Sequence, residues 1–138
     1  MKVNIKLDKG AYMPERAHAT DAGADIRTPE FFILDPHSSK IVHTGVHIET
    51  PENCVTMVKS KSGLYTKYGI TTTGVVDEGF TGEVLIKLMN NGPHTVYFNE
   101  GDKIAQLVVM PVFYPDFEQV DEISGGDRGD GGYGSTGR

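Results

Sequence analysis

Apolar side chains recur at every second position along much of this chain, and that period narrows the fold before anything else does. Val3, Ile5 and Leu7 alternate with polar residues, and Val42, Thr44, Val46 and Ile48 do the same with His43 and His47 on the opposite face. Successive side chains of a strand point to opposite faces of its sheet, so this alternation buries one face and wets the other. "VTMVK" (55–59), "VLIKLMN" (84–90), "TVYF" (95–98) and "KIAQLVVM" (103–110) are further strand-length runs rich in β-branched residues. Turn-forming clusters fall between them: "TPE" at 28, "LDPHSS" at 34, "TPEN" at 50, "NNGP" at 90 and "NEGD" at 99. Short strands with turns at this spacing predict an all-β domain built as a sandwich, barrel or jelly roll. One segment departs from the pattern. "SGLYTKYG", Ser62 to Gly69, sets Leu64, Tyr65 and Tyr68 at helical spacing between a serine and a glycine, which predicts one short helix capped at both ends.

The 138 residues amount to one domain, large enough to bury a core without crosslinks. Cys54 is the one cysteine, so no disulfide forms within the chain, and its place at the head of an apolar run predicts a buried structural thiol. The apolar runs are strand-sized, and "MKVNIKLDKG" lacks the apolar block of a signal peptide. The expectation is a soluble cytoplasmic protein with no membrane partner. A net charge of −6 argues against sequence-independent binding of nucleic acid, which needs a basic face. It leaves room for a small anionic ligand, because a few placed cations, or a metal ion, reverse the field locally. Apolar content falls after "PVFYPDFEQVDEI". The expected boundary therefore divides an all-β domain, 1–124, from a mobile glycine-rich arm, 125–138.

Four segments within the domain carry side chains suited to chemistry, and each also has a plainer reading. "KSKSGLY" runs two lysines and two serines into the helix start. Unpaired N–H groups, the positive dipole end and Lys61 make a phosphate cradle there, or the segment is a capped surface helix with solvated lysines. "TTTGVVDEGFTGEV" has Gly74, Gly79 and Gly82 at the punctuation points of an expected β-hairpin. Either Asp77 accepts a proton from water while Phe80 stacks on a sugar or base, or the aspartate shapes its own turn. In "DAGADI" Asp21 and Asp25 flank small residues. They approach a metal-bound water, or they hydrogen-bond their neighbours in a tight turn. Gln106, inside an apolar run, orients a ligand or fastens two strands together. No His or Cys cluster has zinc spacing, and the five histidines are read as structural.

The closing stretch, "DRGDGGYGSTGR", cannot bury a core. Ordering a glycine-rich chain costs conformational entropy, so it orders only against something that offsets that cost. Arg128 can fork onto phosphate oxygens. Tyr133 can lie on a base, a contact worth about 1–3 kcal/mol in nucleic-acid complexes. Ser135, Thr136 and successive N–H groups can enclose a terminal phosphate. A flexible linker alone has no need of the placed arginine and aromatic.

Together and in this order, "AGADI", "KSGL", "GVVDEGFTGEV", "GDKIAQLVV" and "RGDGGYGSTG" closely resemble the five motifs of the trimeric dUTPase (dUTP pyrophosphatase) family, from about residue 20 to the C-terminus. The resemblance implies a distorted jelly-roll β-barrel, the β-clip, assembled as a homotrimer with active sites shared between subunits and the arm closing over a neighbouring site. It implies hydrolysis of dUTP to dUMP and pyrophosphate, which keeps uracil out of DNA and supplies dUMP for thymidylate synthesis. By the same resemblance Asp77 activates the water that attacks the α-phosphorus, and Phe80 packs under the deoxyribose. The segment from about Thr71 to Phe80, with Thr72, Gly74 and Val76, reads the uracil edge mainly through backbone. Lys61, Ser62 and Gly63 hold phosphates with help from Gln106, and Asp25 positions Mg2+ through water. Arg128, Ser135 and Thr136 bind the γ-phosphate, and Tyr133, followed by Gly134, covers the uracil.

Three departures from the family pattern stand out. The second motif usually has arginine where this chain has Lys61, and proline where it has Ser60. Lysine keeps the charge but loses the bidentate fork. The third motif often reads Asp-x-Asp-Tyr, whereas here it is Asp77-Glu78-Gly79-Phe80, and an asparagine often found near Thr71 to Thr73 is absent. "DEGF" also resembles the related dCTP deaminases, whose catalytic glutamate lies in a "TLEL"-like run. Here that run is "LIKL", and Lys87 cannot do the glutamate's proton transfer. A non-catalytic binding protein on the same scaffold is the remaining alternative, and it explains neither Asp77 nor the arm.

Overall fold

The alternating runs become strands that sort into two four-stranded sheets and a two-stranded ribbon. The computed structural model describes residues 1–137; the last residue of the expected arm, Arg138, lies outside the described residues. In chain order the elements are β1 (Ile5–Leu7), β2 (Ala24–Arg27), β3 (Phe32–Leu34), β4 (Ser39–Ile48), β5 (Cys54–Lys59), α1 (Ser62–Tyr68), β6 (Ile70–Thr71), β7 (Thr73–Val76), β8 (Glu83–Asn90), β9 (Val96–Phe98) and β10 (Lys103–Pro111). One sheet has the order β1-β4-β8-β6, the other β2-β10-β5-β7, and β3 pairs with β9. Every pairing is antiparallel. The fold is all-β with one short helix, as the period of two requires. No helix among the described residues is long and apolar enough to cross a membrane.

The core lies between the inward rows of the two large sheets. Val42, Val46, Val84, Ile86 and Leu88 of β4 and β8 face Val58, Ile104 and Leu107 of β5 and β10, none more than 3% exposed. Burying each such side chain is worth about 1.5–3 kcal/mol relative to leaving it in water. Polar groups that enter this interior are paired. Asn90 donates from Nδ2 to the carbonyls of Leu34 (3.1 Å) and His94 (2.8 Å), while its Oδ1 accepts the Gly92 N–H at 2.9 Å. Cys54 is buried and reduced, as its place in the sequence predicts.

Two local expectations are corrected. The helix starts one residue earlier than a serine cap requires: Lys61 holds the N-cap position without a side-chain cap bond, and the Ser62 carbonyl accepts the Thr66 hydroxyl at 2.8 Å. Its other end is as expected. Gly69 adopts φ 70°, and its N–H reaches the carbonyls of Leu64 and Tyr65, a conformation that glycine takes without a Cβ penalty. The segment around Asp77 is not a hairpin. β7 pairs with β5, and β8 pairs with β4 and β6, so residues 77–82 cross from one sheet to the other. Turn residues specify a chain reversal but not the partners of the strands on either side.

Beyond β10 the chain leaves the sheets. The Val112 N–H reaches the Asn53 carbonyl at 3.0 Å, and the Tyr114 hydroxyl reaches Glu78. From Gly126 to Gly137 the backbone hydrogen bonds among the described residues close local turns only.

Candidate active site

The register of the second sheet lines up residues from four strands in one row. Gln106 of β10 lies opposite Asp25 of β2 on one side and Lys59 of β5 on the other, and Lys59 lies opposite Thr73 of β7. Just past this row the chain turns at Ser60 and enters α1. The Ser60 hydroxyl donates to the Thr72 carbonyl and accepts the Thr72 N–H, both at 2.9 Å. The Gln106 amide donates to the Ser60 carbonyl at 2.9 Å, and its oxygen fills the space over Gly23, where a Cβ would lie 2.1 Å away. The glycine of "AGADI" is thus the seat of Gln106, and Ser60, standing where the family usually has proline, stitches the segment before the helix to β7. The Thr72 hydroxyl itself is buried and has no hydrogen-bond partner among the described residues.

Asp25 is 7% exposed, and a carboxylate at that depth needs partners. It has two. The Lys61 ammonium bonds Oδ1, and the Lys103 ammonium lies 2.7 Å from Oδ2. Burial pulls the Asp25 carboxyl up, but the bonds and charges of Lys103 and Lys61 outweigh it and hold the group below the ordinary carboxylate value. Two cations on one anion leave this end of the sheet locally positive despite the acidic chain. Ser62 and Gly63 stand exposed beside it, with the N–H groups that no helix can pair in its first turn. Asp21 behaves differently: it accepts the His18 N–H at 3.0 Å and stays a local turn residue.

The other end of β7 carries Asp77. Asp77, Glu78, Gly79 and Phe80 are all exposed, and the Phe80 N–H closes their turn on the Asp77 carbonyl at 3.2 Å. The Phe80 ring lies over Gly82, where a Cβ would come within 2.5 Å of it. Glu78 fastens one flank of the loop: it accepts the Asn53 N–H at 2.9 Å and the Tyr114 hydroxyl at 2.6 Å. The bond to Glu78, with burial second, pushes the Tyr114 phenol up to about 12, and the same bond holds Glu78 below its ordinary value. Cavities of about 460 Å³ and 580 Å³ open on the two sides of this loop, the first against Phe80 and the second against Asp77.

β7 is the edge strand of its sheet, so half of its backbone N–H and C=O groups face outward unpaired. The Val76 side chain is buried in the core, which leaves only its backbone to meet a ligand. Gly74 has Val58 at 3.3 Å from where its Cβ would be.

One chain therefore brings together Asp25, Lys61, Gln106 and Thr72, with Ser62 and Gly63 alongside. It does not bring Asp77 and Phe80 to them. Asp77 lies four residues along β7 from the row that holds Thr73 and Lys59, about 13 Å at the rise of a strand. Nor does the arm complete either end: Arg128 bonds its own Gly131 carbonyl at 2.9 Å, and Tyr133 is fully exposed. Lys103, Glu78 and Tyr114 are contributors that sequence reasoning passed over. Lys103 and Gln106, three residues apart, would face opposite sides of a regular strand, and only the register shift between Lys103 and Ala105 brings Lys103 to Asp25; the bond between Glu78 and Tyr114 spans 36 residues. No group of three or more His, Cys, Asp or Glu converges to hold a metal among the described residues.

The model of the dUTPase family matches residues 9–137. The deoxyuridine 5'-triphosphate nucleotidohydrolase of Gloeothece citriformis is 41% identical over 141 residues, covering 99% of this chain and 97% of that protein. The dUTPase of Staphylococcus bacteriophage 80alpha, solved with dUpNHpp, superposes with a TM-score of 0.92 at 31% identity and covers 99% of both chains. A variant of the phage phi11 dUTPase of S. aureus, whose structure reveals the coordination of a structural Mg(II) ion, superposes with a TM-score of 0.83 at 31% identity, covering 91% of this chain and 100% of that one. Likeness in sequence and in fold over the whole length leaves one conclusion: this chain belongs to the dUTPase family and is an enzyme that hydrolyses dUTP.

Proposed function

We propose that dUTP is cleaved to dUMP and pyrophosphate in sites that copies of this chain build together as a homotrimer. The separation of Asp77 from the Lys61 end of the same ladder, about 13 Å, carries this reading: a nucleotide whose phosphates rest on one row needs its base and its attacking water supplied from another chain. The outer face of the second sheet supports it too. Val75 is 59% exposed and Met110 37% exposed there, apolar surface that a second copy covers.

In the assembled site the free edge of β7 reads the uracil through backbone groups at Thr72, Gly74 and Val76, whose donor and acceptor order rejects cytosine. Phe80 packs under the deoxyribose. Lys61 leaves Asp25 for the phosphates, joined by the N–H groups of Ser62 and Gly63, while Gln106 holds Ser60 in place. The Asp77 carboxylate takes a proton from a water whose oxygen bonds to the α-phosphorus. The bond from that phosphorus to its bridging oxygen breaks, and pyrophosphate departs. Alignment and charge neutralisation supply most of the rate in such a displacement. The arm, residues 125–138, lies across the site of a neighbour: Arg128, Ser135 and Thr136 on the γ-phosphate, Tyr133 on the uracil, Gly134 allowing the close approach.

Mg2+ keeps several waters and binds through few carboxylates plus phosphate oxygens. The residues fit that mode, since the lysines already engage both oxygens of Asp25. With Lys61 moved to the phosphates, Asp25 would help to hold a hydrated Mg2+ ion through one of its waters. When bound, the ion neutralises charge on the triphosphate. Lys87, the residue standing where a deaminase carries its glutamate, lies exposed on the outward face of β8, which supports hydrolysis over deamination.

Subunit mixing tests the shared site. Asp77→Asn and Lys61→Ala, co-expressed with different tags and purified as mixed oligomers, should show more dUTP turnover than the mean of the two parents. Turnover no higher than that mean would mean that each chain completes its own site.

A further inference from the structure

We infer that His47 is a positioning residue for the Asp77 loop, an imidazolium that clamps the loop to the turn after the N-terminal strand. The proposal rests on the reading of Asp77 as the group that activates water. His47 sits on β4, with Lys6 of β1 and Glu83 of β8 as its cross-strand partners. The pairing of β4 with β8 slips between His43 and His47, and the ring turns toward the loop between the sheets. Nδ1 lies 2.9 Å from the Thr81 carbonyl, and Nε2 lies 3.0 Å from Asp8 Oδ2. Both neighbours are acceptors only. A neutral imidazole has one N–H, so one of these contacts would set a nitrogen lone pair against an oxygen. The protonated ring donates to both.

The surroundings favour that charge. Asp8 faces the ring directly, and Lys6 stands 4.0 Å from the same carboxylate. Glu83, opposite on β8, is held by His43 at 2.9 Å and by the Gly45 N–H at 2.8 Å. Glu49, two residues on, is turned to Asn4 at 2.6 Å. The side chain keeps 19% of its exposure. The Thr81 carbonyl first, and Asp8 second, raise the His47 pKa above its ordinary 6.5, against burial and Lys6. A raised folded pKa means the clamp is complete below that ordinary value and is lost as pH rises through the folded one. Thr81 follows Phe80 directly and stands four residues from Asp77. The opposite flank, Glu78 on Asn53 and Tyr114, keeps its charge state through this range, because Glu78 is shifted down and Tyr114 up. One flank of the catalytic loop is therefore fixed, and the other is held by a group whose pKa is raised above the ordinary histidine value.

The test is kcat and KM for dUTP with Mg2+ across about pH 6–9 for the wild type, His47→Gln and His47→Arg, with melting temperatures alongside. Wild-type kcat should fall about three- to tenfold as the pH rises through the folded pKa, with KM nearly constant, because a misplaced loop costs alignment more than binding. His47→Gln should sit near the low plateau throughout, without that fall. His47→Arg keeps a charge with donors in two directions and should stay near the high plateau. A His47→Gln profile that superimposes on the wild type overturns the proposal, and so does a His47→Arg enzyme with wild-type melting and no rescue. Asp77→Asn, run in parallel, separates the two readings. Retained turnover there removes Asp77 from the chemistry; lost turnover there beside a superimposing His47→Gln profile removes only the positioning role.

Discussion

Two aspartates of the second sheet, Asp25 on β2 at one edge and Asp77 just past β7 at the other, live under opposite conditions. Asp25 is buried and answered by two lysines. Asp77, at the other end, is exposed on a loop whose flanks, at Glu78 and Thr81, are the anchored parts. The first arrangement closes on itself when no anion is present, so in the proposed mechanism an incoming triphosphate has to outcompete a carboxylate for Lys61. The second leaves a carboxylate facing solvent, with its loop braced but its oxygens accessible to a water. A buried ion pair and an exposed carboxylate are thus two answers to one requirement: to carry charge without leaving it unpaired in the interior.

The contrast is broken most directly at Asp77. Asp77→Asn should lower kcat about 10²–10⁴-fold while calorimetry shows dUTP binding nearly as before; near-normal turnover would give the two aspartates equal standing. Removal of the arm after Gly125 comes next. The folded body should persist with unchanged melting, since the arm's backbone bonds among the described residues are local, while kcat/KM drops about 10²-fold through lost alignment and closure. Full activity of the shortened chain would place phosphate recognition wholly in the body. Lys61→Arg has the smallest expected effect. A forked guanidinium should lower KM for dUTP about threefold at unchanged kcat. A raised KM instead would show that Asp25 holds the arginine back from the phosphates.

Much of the strand content was legible in the residues. β4, β5, β8, β9 and β10 coincide with runs that alternate or are rich in β-branched residues, and the turn clusters fall between them. β3 and β6 were not foreseen, because two or three residues are too short to show a period. The Ser62 cap and the hairpin were misread for related reasons. Serine favours a cap in general, but Ser62 already has helical geometry and Lys61 has the extended one, with ψ 127°. Glycines marked the reversal after β7, yet the partners of β7 and β8 depend on which sheet each completes. At the site, Asp25, Lys61 and Gln106 were legible as polar residues in otherwise small or apolar surroundings. Lys103, Ser60 and the Glu78 to Tyr114 bond acquire meaning only through register and long-range contact.

By itself, the sequence determined the strand-rich class, the single helix with its left-handed glycine end, the interior faces of the long strands, and the family. Each of these follows from spacing along one stretch of chain or from motif order. The tertiary structure alone decided that Asp25 is shared by two lysines, that the loop bearing Asp77 crosses between sheets, and that Gln106 stands opposite Asp25 in one row. Those outcomes depend on strand pairing across 30 to 80 residues, where solvent exclusion and register set distances that spacing along the chain does not encode.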